Sequence, residues 1–90
     1  MGDDQRIIPS PEVLSRILDG EAVLLNLATG NYFGLNGVAS RIWELIGQGG
    51  TVGALRSALI AEFEVREAVV ARDLLDLLSS LQARGLIRVV

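Results

Sequence analysis

The chain has 90 residues, half of them apolar, with eight arginines, no lysine, eleven acids and a net charge of −3. That length allows one domain with a modest core and excludes two, and the apolar content excludes a disordered chain. Cysteine and histidine are also absent, which removes thiol nucleophiles, structural zinc, disulfides and the commonest general base.

The opening MGDDQRII is acidic and has no apolar stretch of the kind a secretory signal needs. Residues 1–12 are expected as a flexible N-terminal tail, set off by Pro9-Ser10-Pro11, and residues 13–90 as the domain. Val13 to Leu18 fits a strand or a short helix by its apolar spacing. Asp19-Gly20 decides for a strand, because a two-residue type I′ turn needs positive φ at both positions. Glu21 to Leu27 follows as an apolar run alternating at Val23, Leu25 and Leu27. A second turn at Ala28-Thr29-Gly30-Asn31 returns the chain into Tyr32 to Leu35, which completes a three-stranded antiparallel meander. Ala22 to Ser40 is uncharged, but its asparagines and glycines exclude a membrane helix. A cytoplasmic location is expected.

Asn36 is placed to cap a first helix, Val38 to Ile46, with Ala39, Ile42, Trp43 and Ile46 on one face. Gly47 and Gly49-Gly50 stop it. Thr51 can cap a second helix, Val52 to Phe63, buried along Val52, Leu55, Leu59, Ile60 and Phe63. Phe63-Glu64-Val65 leaves little room for a long connection before the third helix, Arg66 to Arg84, which Gly85 can end in a left-handed conformation. Leu86 to Val90 fits a short final strand. Strands first and helices after give an α+β domain: a three-stranded antiparallel meander packed on a three-helix bundle, winged-helix-like in its order.

Catalysis finds little support. Gly47-Gln48-Gly49-Gly50-Thr51 lacks the lysine of a phosphate loop and follows a helix instead of a strand, so it reads as a helix stop. Asp73 and Asp76 lie three apart on the third helix, and nothing supplies the desolvated cleft that acid–base work requires. The chain is expected to be no enzyme and to use no cofactor or metal.

Binding is better served. The third strand of the meander is an edge, and Gly34 within it marks a bulge or strand end, or else a place where another backbone comes close. On the third helix Val70, Leu74, Leu77, Leu78 and Leu81 form a core stripe. Ala68, Val69, Arg72, Leu75, Asp76 and Ser79 form a separate stripe, either scattered surface or anchors for a ligand. Taken together, they predict a groove between a strand edge and a helix.

The run EAVLLNLATGNYFGLN (Glu21 to Asn36), the helix VASRIWELI (Val38 to Ile46), Thr51-Val52 and Gly85-Leu86-Ile87 resemble the PqqD-like family. Its members are recognition elements that hold the leader peptides of ribosomally made, modified peptides. The resemblance spans about residues 13–90, and TGNYFGLN followed by an Ile-Trp helix is its most specific part. As a separate chain, the sequence is most similar to the leader-binding proteins of lasso peptide biosynthesis. That resemblance implies a leader added as a strand along Asn31, Tyr32, Phe33, Gly34 and Leu35, with helix contacts through Ala68, Val69, Arg72, Leu75, Asp76 and Ser79. It also implies two partners, a cysteine-protease leader peptidase and an ATP-dependent cyclase, with no nucleic acid and no membrane. Two other readings stand beside it. A winged-helix DNA binder shares the helix pair and hairpin but is opposed by the mixed charge from Glu62 onward, and a small homodimerisation domain could use the same edge.

Overall fold

The computed structural model describes residues 1–64 and 66–90, so Val65, expected in the connection before the third helix, lies outside the described residues. In chain order the elements are β1 (Ile7–Pro9), β2 (Val13–Leu18), β3 (Glu21–Asn26), β4 (Asn31–Gly34), α1 (Gly37–Gly47), α2 (Val52–Phe63), α3 (Glu67–Ala83) and β5 (Ile87–Val89). Strands β2, β3 and β4 form the antiparallel meander, in that order, with β4 at one edge. Asp19 and Gly20 turn β2 into β3 with φ of 52° and 79°, the positive values that a type I′ turn demands.

The helices begin where capping side chains satisfy their first free amides. Asn36 accepts from the Ala39 amide at 2.9 Å and Thr51 from the Ala54 amide at 3.2 Å. Gly85, at φ 71°, takes the left-handed position beyond the end of α3. Each helix turns one apolar stripe inward, and the stripes share one core with Leu24 of the meander, where Leu24, Ile46, Leu74, Leu78 and Leu86 are all essentially inaccessible to solvent. The α+β architecture is the one the sequence predicts.

One expectation is corrected. Residues 1–12 are not a frayed tail: β1 pairs antiparallel with β5 in a second, two-stranded sheet, and Ile7 is only 1% exposed in the core. The same segment grips the start of α2, where the Val52 amide donates to the Gln5 carbonyl and the Gly53 amide to the Asp3 carbonyl, both at 3.0 Å. Arg56 closes the grip with a two-pronged pair to Asp3 at 2.7 and 2.5 Å. Apolar pattern alone hides this, because a three-residue strand has no periodicity and its partner lies at the other end of the chain.

The alternation that marked β3 is the outer one: Val23 and Leu25 lie on the outer face of the sheet, with Leu27 exposed just past its end, and Ala22, Leu24 and Asn26 point inward. Small Ala22 lets α1 approach closely enough for Ser40 to bond its backbone. Asn26 can face inward because both ends of its amide are used: Oδ1 accepts from the Ala28 amide at 3.0 Å and Nδ2 donates to the Arg84 carbonyl at 3.1 Å.

Candidate functional site

The outer edge of β4 follows from the ladder's own arithmetic. Hydrogen-bonded and non-hydrogen-bonded pairs alternate in an antiparallel sheet, and the Leu35 amide donates to the Ala22 carbonyl at 2.9 Å. Phe33 therefore turns its backbone groups toward Leu24 on β3, while the N–H and C=O of Tyr32 and Gly34 point away from the sheet. No other strand covers them among the described residues. Gly34 pairs regularly with Val23 and ends the strand, so it marks no bulge. Added there, a Cβ meets nothing within 4 Å, so the outer face of the sheet is open at this position.

Side chains alternate the other way. Phe33 is half-buried and Leu35 buried toward the core, whereas Tyr32 is 70% exposed on the outer face. The inner pair forms one wall of a groove of about 320 Å³, and Leu77, Ser80 and Leu81 of α3, with Arg84 just past its end, form the other. Arg84 closes one end, its guanidinium carbon 4.8 Å from the centre of the Phe33 ring. At the opposite end, past Asn36, a second and more apolar cavity of about 440 Å³ opens between α1, the end of α2 and the first half of α3. Val38, Phe63 and Val69 line it with substantial exposure, and Asp73 adds a carboxylate to its wall. Leu77 belongs to both hollows and makes them neighbours.

Ion pairs hold the walls around the second cavity. Arg41 of α1 bonds Glu62 near the end of α2 at 2.6 Å and Glu44 at 3.0 Å, and the hydrogen bond from Arg41 keeps the Glu62 carboxyl below its ordinary range. No group of His, Cys, Asp and Glu among the described residues is placed to hold a metal ion, and no helix among them is long and apolar enough to cross a membrane.

Of the residues singled out by sequence, Tyr32, Phe33, Gly34 and Leu35 come together at the groove, Asn31 starts the same strand, and Val69 lines the apolar cavity. Ala68, Arg72, Leu75, Asp76 and Ser79 are exposed on α3 but line neither hollow. The stripe that does is Val69, Asp73, Leu77, Ser80 and Arg84, spaced by three and four residues. The stripe expected from the sequence lies about one residue around the helix from this one, because Leu77 fits the core spacing and Ser80 and Arg84 are polar. The signal was present in Leu77: a fifth apolar residue widens the stripe toward one side, and that side is the groove.

Among curated proteins none matches the chain in sequence. Two solved structures do. One, described as TbiB1 in complex with the TbiA(beta) leader peptide, is 42% identical with a TM-score of 0.86, over 90% of this chain and 94% of that one. The other, lasso peptide synthetase B1 complexed with the leader peptide, is 28% identical with a TM-score of 0.82, over 91% and 96%. The family of coenzyme PQQ synthesis protein D, PqqD, matches residues 21–87, from the first residue of β3 into β5 and through every element that builds the groove. The chain belongs to the PqqD family.

Proposed function

We propose that this chain binds the leader segment of a ribosomally made precursor peptide by adding it as a strand to β4, and presents the precursor to a leader peptidase and an ATP-dependent cyclase in lasso peptide maturation. The open edge at Tyr32 and Gly34 carries the reading, because it lies beside a groove whose far wall is a helix. The outer edge of β2 is also unpaired in the meander among the described residues, but no β2 residue lines either hollow. Support comes from the two similar structures, each a complex with a leader peptide.

Strand addition divides the work between backbone and side chains. Main-chain hydrogen bonds at Tyr32 and Gly34 supply affinity for any extended segment, and alternate guest side chains reach the groove and the apolar cavity, where specificity arises. The chain performs no chemistry in this scheme. It raises the local concentration of the precursor beside the enzymes that act on it.

Titrating a labelled leader peptide encoded beside the gene, read by fluorescence anisotropy, is expected to give a micromolar or tighter Kd. Amide hydrogen exchange locates the contact: Tyr32 and Gly34 become protected in the complex. Protection confined to β2, or none on β4, defeats the proposal.

A further inference from the structure

We infer that the groove reads charge as well as strand geometry: Arg84 at one end takes an acidic side chain of the guest peptide, and Asp73 at the other takes a basic one, four or six residues away along the guest. The inference rests on the strand-addition reading above and specifies the peptide that it admits.

Arg84 holds its guanidinium carbon over the Phe33 ring, a contact that uses none of its N–H donors as hydrogen bonds. Among the described residues no carboxylate lies within salt-bridge distance of it, whereas Arg41 is paired with Glu44 and Glu62 and Arg56 with Asp3. Asp73 is similarly available. Its nearest cation, Arg72, is 3.8 Å away, and both side chains are largely exposed, a pair of the kind that contributes little.

Spacing follows from the two secondary structures. β4 and α3 run in opposite senses along the groove, since Phe33 meets Arg84 at one end while Asn36 and Asp73 line the cavity at the other. The two charged residues are eleven positions apart on the helix, about 16 Å at ~1.5 Å per residue. A strand covers that length in about five residues at ~3.3 Å each. Side chains must share a face to reach the groove, so the guest's charges fall four or six positions apart. Whichever way the guest runs, its acid lies beside Phe33 and its base beside Asn36. Charge order thus selects strand direction.

A phage-displayed library of random twelve-residue peptides, panned on the full chain, supplies the probe. Enriched peptides are expected to carry an acid and a base at one of these spacings. For a synthetic labelled peptide from that pool, Arg84→Glu weakens binding roughly threefold to fivefold, as exposed charge pairs do. Replacing the peptide's acid by lysine restores it, and the effect fades in ~1 M salt. Asp73→Lys gives the mirror result at the other end and serves if the Arg84 variant does not fold. Enriched peptides that protect the Tyr32 and Gly34 amides but show no charge pairing, or unchanged affinity in both folded variants, overturn this inference and leave strand addition standing. Failure of any peptide to protect those amides removes strand addition itself, and the charge code with it.

Discussion

The Arg84 guanidinium carbon lies over the Phe33 ring, 4.8 Å from its centroid, and so joins the C-terminal cap of α3 to the edge strand. The Arg84 carbonyl is meanwhile held by the Asn26 side chain, so one residue is tied to β3 by its backbone and to β4 by its side chain. A cation over an aromatic face at an exposed site is worth about 0.5–1 kcal/mol. Phe33→Leu and Arg84→Met, singly and together, are therefore expected to give a coupling of that size in a double-mutant cycle of urea unfolding. A coupling of zero would mean that the stacking does not brace the groove.

Gly34 allows the edge to be tested without disturbing the ladder. Its N–H faces outward, so Gly34→Pro removes a donor that the domain does not use, at an edge position where proline is tolerated. Gly34→Ala meets no neighbour within 4 Å and leaves the donor in place. The proline variant is expected to keep its melting temperature within a few degrees and to lose about tenfold in leader affinity, corresponding to about 1.4 kcal/mol for a lost hydrogen bond. Equal affinity in the proline and alanine variants would place the guest elsewhere.

The elements that announce themselves by period, cap or turn were legible in the sequence. Asp19-Gly20, Asn36, Thr51 and Gly85 each appear in the structure at the turn or helix end they predict. The β1–β5 pair was not, because its partners are three residues long and far apart in sequence, so only tertiary packing around Ile7 reveals them. The strand half of the site was legible as an edge, whereas the helical half required knowing how α3 is rotated. That rotation is set by the burial of Val70, Leu74, Leu78 and Leu81 in the core, where α3 packs on α2 and β5.

The N-terminal grip gives a stability prediction. Ile7→Ala empties a fully enclosed site and is expected to cost about 2–5 kcal/mol, a large part of the margin of a small domain. Asp3→Asn tests the outer clasp. The hydrogen bond from Arg56 lowers the Asp3 pKa in the folded state, so its contribution is complete at neutral pH and lost as pH falls through that depressed value, below the ordinary ~3.9. The variant should melt below the parent at pH 7, with the gap closing in acid, below the ordinary carboxylate range. A gap that persists in acid would show that the charge pair is not its source.

Ser40 bridges the last rung of the β3–β4 ladder. Its hydroxyl accepts from the Ala22 amide at 2.7 Å and donates to the Leu35 carbonyl at 3.0 Å, in a site only 2% exposed. Ser40→Ala leaves a buried donor and acceptor without partners, at about 1–3 kcal/mol. Because the hydroxyl also fixes where β4 leaves the sheet, the variant's leader affinity should fall even at temperatures where it remains folded. Calorimetric melting with anisotropy at 10 °C separates the two effects, and full affinity in the folded variant would restrict Ser40 to stability.

Val69 and Leu75 separate the groove seen in the structure from the stripe expected from sequence. Both are large, apolar and exposed, at 43% and 36%, but only Val69 lines the apolar cavity. A carboxylate in that cavity must be desolvated when a guest side chain enters, whereas one at position 75 stays in water. Val69→Asp is expected to weaken leader binding at least tenfold, about 1.4 kcal/mol, and Leu75→Asp by less than twofold, with both variants folded by circular dichroism. The reverse order would move the guest around α3 onto the face that holds Ala68, Arg72 and Ser79, and away from the stripe that faces Phe33.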